Sequence, residues 1–406
     1  EYTCTIERSP LCGGMENAMV RKRIAVLLLL CFAAVLAAPV CAAEFTAPLE
    51  CRSAVLMEAS TGRVLFEKNA DEALPPASVT KVMTLLLVME AIDAGKIKLD
   101  DMVPVSEHAA SMGGSQVFLE EGEKQTVETL LKCIMVASGN DSAVAMAEYV
   151  AGSEGEFVNQ MNQKAAELGM KNTHFTDCCG LTDSEDHYTT PRDIALMSRE
   201  LITKYPEVFD YTKIWMENIT HMTARGSSEF GLTNTNKLLR SYDGCDGLKT
   251  GSTSKALFCI SATAERNGIR LISVIMAGPD SKTRFRNAAE LLNYGFGSCR
   301  LYVDENRDAL PETKVQGGVE ETVPCKYQEG FRYLDTKGVD FSAIEKEVLL
   351  EEELTAPIEK GEAVGKVVYR LNGEILGEVP VLAGESVEKA EFLDYLKKLW
   401  EKYQSI

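Results

Sequence analysis

The sequence predicts an α+β fold: an antiparallel sheet flanked by helices, followed by a small all-β domain. Three observations lead there. Strand-like runs stand at both ends of a helical middle, near 53–67 and 249–276, so the two ends can pair around the helices. The later of these ends places Asn267-Gly268 between two β-rich runs, the strongest short hairpin signal. Beyond about residue 300, short β-like runs alternate with turn signals such as Asn372-Gly373.

The elements follow in order. Residues 53–56 and 63–67 read as a hairpin around Ser60-Thr61-Gly62. Residues 79–94 form a strongly apolar helix, entered after Pro75-Pro76-Ala77-Ser78 and ended near Gly95. Two more helices, 127–136 and 143–150, flank Ser138-Gly139-Asn140-Asp141, and the second stops at Gly152. Residues 156–168 are helical, with Gly169 just past the end where a left-handed glycine closes a helix. Residues 191–203 and 284–294 return to helical spacing, with the β runs 257–265 and 270–276 between them. The β runs of the last part are 315–323, 348–354, 363–371 and 374–381. Residues 387–403 are amphipathic. Phe392, Leu396, Leu399 and Tyr403 share one stripe, with Leu393 and Trp400 beside it. Lys389, Lys397, Lys398 and Lys402 lie largely off that stripe, the pattern of a helix lying in a membrane interface. The alternative is a helix that packs its apolar face on its own β domain or on a partner.

The expected organisation is therefore residues 1–43 as upstream residues plus a signal peptide, 44–300 as the main domain, 301–384 as a β-sandwich and 385–406 as a membrane-associating helix. The first of these rests on order: Arg21, Lys22 and Arg23, an apolar run over 24–36, then small residues to Ala43. That run is shorter than the roughly 20 residues a spanning helix needs. The net charge of −19 argues against a nucleic-acid partner. After residue 43 the cysteines, at 51, 133, 178, 179, 245, 259, 299 and 325, are scattered and define no disulfide framework. Cys178 and Cys179 are adjacent and cannot easily close on one another. No His/Cys cluster suggests a metal.

Three short motifs carry chemistry. In Ser78-Val79-Thr80-Lys81 the lysine lies one helical turn from the serine, so its amine can reach the hydroxyl. A serine needs a base to become a nucleophile, and a lysine serves when burial lowers its pKa. Ser252-Thr253-Ser254-Lys255 has the same spacing but does not open an apolar helix. Ser138-Gly139-Asn140 puts a hydroxyl and an amide on a loop, where ordinary turn chemistry is the plainer explanation. Lys249-Thr250-Gly251 opens a β-rich segment. Its lysine and hydroxyl suit a carboxylate, and its glycine allows close backbone approach.

Each triplet alone is weak, but their order is specific. Ser-x-x-Lys, Ser-x-Asn about 60 residues on and Lys-Thr-Gly about 110 later form the set of penicillin-recognising serine enzymes. The stretches 76–84, 136–143 and 246–253 resemble the D-alanyl-D-alanine carboxypeptidases, the low-molecular-weight penicillin-binding proteins. So do Met170-Lys171-Asn172-Thr173-His174-Phe175 and His187-Tyr188-Thr189-Thr190, and the likeness runs over roughly residues 50 to 385. The resemblance implies a β-lactamase/transpeptidase-like domain. It implies Ser78 as acylated nucleophile, Lys81 as its base and Ser138 as proton relay. Asn140 would support the substrate peptide, Lys249 and Thr250 would engage its terminal carboxylate, and Gly251 would line the substrate site. The amides of Ser78 and Ser252 would bind the oxyanion, and Arg284 would assist the carboxylate site. His187 would order a loop. The implied partners are peptidoglycan stem peptides ending in D-Ala-D-Ala, and β-lactams as covalent inhibitors, without cofactor or metal. One departure stands out. The family usually has Ala-Gly on the strand after Lys-Thr-Gly, and here Ala256 precedes Leu257, which predicts crowding or a shifted strand. A class A β-lactamase would need a Glu-x-x-Leu-Asn loop, which 141–248 lacks. A D,D-endopeptidase with the same residues, or a wall-binding protein that has lost catalysis, stays open.

Overall fold

A computed structural model describes residues 45–182 and 184–404. The segment 1–43, read above as upstream residues and a signal peptide, lies outside the described residues.

The central element is a five-stranded antiparallel sheet in which Val64–Lys68, Ser53–Glu58, Ile269–Gly278, Leu257–Arg266 and Cys245–Thr253 lie side by side in that order. Its first hairpin is β1 (Ser53–Glu58) and β2 (Val64–Lys68). Two minor ladders follow: β3 (Met102–Pro104) with β4 (Lys124–Thr126), and β5 (Met216–Thr223) with β6 (Gly226–Thr233). The sheet is completed by β7 (Cys245–Thr253), β8 (Leu257–Arg266) and β9 (Ile269–Gly278), and β9 pairs with β1. Sequence ends therefore meet at the sheet centre, as expected. Asn267 and Gly268 both have positive φ, 52° and 75°, the backbone that a tight two-residue hairpin between β8 and β9 requires.

Both faces of the sheet are covered, so β1 is buried along its whole length. Ala54 and Leu56 point into the layer shared with the helix Ser281–Ser298. Val55 and Met57 point into the larger core beneath the helical middle. That middle contains α1 (Lys81–Asp93), α2 (Val127–Lys132), α3 (Asn140–Ala151), α4 (Glu154–Glu167) and α5 (Pro191–Lys204), with α6 as Ser281–Ser298. Ten of the thirteen residues of α1 are buried, so it runs through the interior instead of lying on it. Gly169, at φ +72°, follows the end of α4 as the sequence predicts.

The last part has its own apolar core, built on Val323, Val364, Val367, Tyr369 and Val381. A three-stranded sheet of β11 (Thr313–Gln316), β12 (Thr322–Val323) and β16 (Glu353–Thr355) faces a four-stranded one. The latter comprises β13 (Cys325–Tyr327), β15 (Ile344–Leu350), β17 (Ala363–Leu371) and β18 (Glu374–Ala383). A further pair, β10 (Arg300–Asp304) and β14 (Phe331–Asp335), adjoins them. The predicted strands 315–323 and 348–354 are each broken in two by a turn, the first at Gly317-Gly318.

The final helix, α7 (Phe392–Gln404), starts later than the predicted 387. Val387 instead bridges Ile358 and is buried in the β core, and Ala390 is buried too, its amide donating to the Gly317 carbonyl at 2.8 Å. The helix meets the β domain through Lys398, whose Nζ donates to the Gly318 carbonyl at 3.0 Å. Its apolar stripe is left open: Phe392, Leu393, Leu396, Leu399, Trp400 and Tyr403 are all exposed. Among the described residues no helix is long and apolar enough to cross a membrane.

Candidate active site

Ser78 does not sit in the first turn of an α-helix. Residues Ala77–Thr80 form a 3-10 turn that runs directly into α1. In that tighter winding, residues three apart eclipse, which brings Lys81 under Ser78. Lys81 Nζ lies 3.1 Å from Ser78 Oγ. The same amine lies 2.6 Å from Asn140 Oδ1 and 3.0 Å from the Cys179 carbonyl. Lys81 is completely buried, and the lost hydration pushes its pKa below the usual lysine value.

Ser138 follows a π-helical turn, Cys133–Ala137, and adopts a left-handed backbone, φ 63°. Lys249 Nζ donates to Ser138 Oγ at 2.8 Å and to the Thr250 carbonyl at 2.9 Å. Lys249 is buried as deeply as Lys81. Burial lowers its pKa well below normal, and the positive charge of Lys81 when protonated, and of Arg284, lowers it further. Asn140 is nearly spent on the protein itself: Oδ1 on Lys81, and Nδ2 donating to the Gly113 carbonyl at 2.7 Å. Beside it, Asp141 grips the loop before the site, accepting from the Val117 and Leu119 amides.

The strand β7 packs against the Ser78 turn with nothing between. A β-carbon on Gly251 would stand 2.8 Å from both the Ser78 nitrogen and the Pro76 carbonyl oxygen. Only glycine lets the strand pass so close. Thr250 Oγ1 bonds Thr235 Oγ1 at 2.7 Å, and Ser252, two residues on, is exposed. Arg284, on α6, reaches the strand from behind. Its Nη1 donates to the Gly251 and Cys259 carbonyls, both at 3.1 Å, and burial lowers its pKa to about 10.

The structure thus gathers Ser78, Lys81, Ser138, Asn140, Lys249, Thr250 and Gly251, with Ser252 beside them and Arg284 one layer back. The rival motif is not helical: Ser252 and Thr253 are the last two residues of β7, and Lys255 lies in the following turn with Nζ 4.0 Å from Glu185. His187 accepts from the Thr176 amide at Nδ1, 3.1 Å, so Nε2 carries the proton and donates to Thr80 Oγ1 at 2.8 Å. It pins the loop behind the Ser78 turn. Leu257 does not crowd the cluster. Its side chain is 41% exposed, and the departure is absorbed by the backbone, which turns left-handed at φ 55°. Thr235 and the carbonyls of Cys179 and Gly113 were not foreseen. Backbone acceptors leave no mark in residue identity, and Thr235 sits in an Asn-Thr-Asn stretch that reads only as a loop.

Comparison with known proteins follows the same outline. The profile of the D-alanyl-D-alanine carboxypeptidase family matches residues 41–280, and that of the C-terminal domain of penicillin-binding protein 5 matches 305–389. The D-alanyl-D-alanine carboxypeptidase DacF of Bacillus subtilis (strain 168) is 43% identical over 359 residues, covering 87% of this chain and 91% of the relative. DacC of Escherichia coli (strain K12) is 35% identical over 361 residues, covering 87% of each. Among solved structures, penicillin binding protein 5 of Haemophilus influenzae superposes with a TM-score of 0.69 at 30% identity, covering 86% of this chain and all of that one. With matches that span both its sheet-and-helix part and its β domain, the chain belongs to the D-alanyl-D-alanine carboxypeptidase family.

Proposed function

We propose that the protein is a serine-type D-Ala-D-Ala carboxypeptidase. It removes the terminal D-alanine of peptidoglycan stem peptides through an acyl-enzyme on Ser78, and β-lactams acylate the same hydroxyl. The observation that carries this reading is the 3.1 Å contact between Lys81 Nζ and Ser78 Oγ at a fully buried amine.

Burial favours the neutral amine, the form a base must take. A neutral amine has two N–H groups and one lone pair. Asn140 Oδ1 and the Cys179 carbonyl accept the two N–H groups, so the lone pair faces the Ser78 hydroxyl and takes its proton. The substrate carboxylate binds at Lys249 and Thr250. Its negative charge restores the charge of Lys249, and that cation in turn holds Lys81 neutral. Ser138, hydrogen-bonded to Lys249, carries the proton to the leaving D-alanine. The Ser78 and Ser252 amides bind the oxyanion, and Gly251 keeps the two close. Arg284 positions the strand through the Gly251 carbonyl. Water then hydrolyses the acyl-enzyme.

In this reading residues 44–300 are the catalytic domain, 301–384 the β-sandwich and 385–406 the membrane-associating segment. Residues 1–43 carry the export signal. The exposed apolar stripe of α7 supports the third assignment, because the helix meets the β domain through its polar side.

The test is D-alanine release from an acyl-D-Ala-D-Ala peptide, beside Ser78→Ala. Release that penicillin blocks and the variant lacks supports the reading. No release from the intact protein overturns it.

A further inference from the structure

Cys178 and Cys179 are adjacent, fully buried and free of disulfides. Their backbone is built into the site just described. The Cys179 carbonyl accepts from Lys81 Nζ at 3.0 Å, and the Cys178 carbonyl accepts from Thr84 Oγ1 at 2.5 Å. Two consecutive carbonyls therefore hold two side chains that lie one turn apart on α1. The amides are occupied as well, Cys178 on Glu154 Oε1 and Cys179 on Asp177 Oδ1. The next residue, Gly180, seats the segment against the nucleophile turn. A β-carbon there would stand 1.9 Å from the Ala77 carbonyl oxygen.

Adjacent residues have Cα atoms about 3.8 Å apart, below the roughly 4.4–6.8 Å of ordinary disulfides. A bond between these sulfurs can close only if the intervening peptide turns. That peptide carries the Cys178 carbonyl and the Cys179 amide, and the Cys179 carbonyl follows it.

We propose that Cys178-Cys179 is an oxidation site that switches off the Ser78–Lys81 centre: closing the vicinal disulfide withdraws the carbonyls that hold Lys81 and Thr84. The proposal rests on the reading of Lys81 as the base of Ser78. The step balances. Two S–H bonds break and one S–S bond forms, and two protons and two electrons pass to a disulfide-class oxidant that leaves as two thiols. The ring disulfide is strained, and strained disulfides are readily reduced, so the switch reverses with added thiol. Burial confines the reaction to moments of local opening.

The test uses the purified protein, a fluorescent penicillin and the thiol oxidant diamide, whose N=N bond takes up the two protons and two electrons. The acylation rate is measured before oxidation, after it, and after dithiothreitol, with a peptide map of the cysteines. The same series is run on Cys178→Ala and Cys179→Ser. The expected result is a 178–179 link and a rate at least about tenfold lower, as displacing a general base predicts. The rate recovers with dithiothreitol and is insensitive to diamide in both variants. The proposal is overturned if no link forms, if the link forms without slowing acylation, or if the variants are slowed equally. If the untreated protein is not acylated at all, it is the carboxypeptidase reading that fails.

Discussion

Gly251 and Ser78 are in backbone contact: a β-carbon on the first would stand 2.8 Å from the nitrogen of the second. The strand proposed to hold the substrate carboxylate and the turn proposed to carry the nucleophile are therefore fixed to each other at a glycine. Gly251→Ala must push them apart. Misplacing reacting groups by about 1 Å can cost about a hundredfold in rate. The expected outcome is a loss of penicillin acylation near that size with the thermal transition still cooperative, read by stopped-flow acylation and by circular dichroism.

Both ends of the Asn140 side chain are bound to the protein, which predicts that it acts through Lys81 more than through substrate. Its Oδ1 is 2.6 Å from the amine and its Nδ2 holds the Gly113 carbonyl. Asn140→Asp keeps the shape but places an anion against the amine. An opposite charge stabilises the ammonium, so Lys81 is harder to deprotonate. The acid limb of the acylation pH profile should move to higher pH, with a lower rate at neutrality. An unmoved limb would assign Asn140 to the substrate alone.

Lys249 is held in the protein at a cost to stability. Its folded pKa lies well below the usual lysine value because of burial and the Lys81 and Arg284 charges. The sign follows from linkage. Between the folded and the unfolded pKa the unfolded chain binds more protons, so stability rises with pH across that window and is lowest below it. At neutral pH, Lys249→Met removes the penalty. Thermal unfolding should occur at higher temperature in the variant, and the difference should shrink as pH approaches 10. Acylation should fall by about a hundredfold or more, since a carboxylate clamp acting on the transition state is lost.

Much of this was legible in sequence, for physical reasons. Asn267-Gly268 forces positive φ at two successive residues, and few backbones other than a tight hairpin use that. The Ser78/Lys81 spacing held although Ser78 lies in a 3-10 turn, because an i,i+3 pair meets in either winding. The β5–β6 hairpin went unseen. Only Ile219, His221 and Leu232 on it are buried, so its alternation is carried by polar residues that read as loop. The start of α7 was misplaced for a related reason. Val387 and Ala390 fit the apolar period of the helix, yet Val387 belongs to the β core and Ala390 is buried with its amide on the Gly317 carbonyl, and periodicity does not say which surface an apolar residue covers.

Leu257 stands where the family usually has glycine, and the backbone keeps a glycine-like φ of 55°. A left-handed conformation costs a side-chain-bearing residue roughly 1–2 kcal/mol. Glycine costs roughly 0.5–1 kcal/mol in unfolded-chain entropy. The strain is the larger, and the exposed leucine gives up little burial, so Leu257→Gly should stabilise the protein by about 0.5–1 kcal/mol. Urea unfolding would detect it. A destabilised variant would mean that the exposed leucine makes contacts worth more than the strain.

The apolar stripe of α7 predicts membrane binding that depends on this helix alone. Phe392, Leu399, Trp400 and Tyr403 are each more than 60% exposed, and Lys398 anchors the opposite side to the Gly318 carbonyl. A truncation after Ala383 would remove Val387 and Ala390 and damage the β core, so it tests two things at once. Ending the chain after Glu391 leaves that core whole. Residue burial in an interface scales with apolar area, and the lysines add attraction to anionic lipid. The full protein should float with anionic vesicles, and the chain ending at Glu391 should stay in the dense fraction with unchanged penicillin acylation. Replacing Phe392, Leu396 and Leu399 by serine should release it too while the lysines remain. Flotation that survives both changes would place the membrane contact elsewhere on the chain. Release by salt alone would make charge, and not the stripe, the larger contribution.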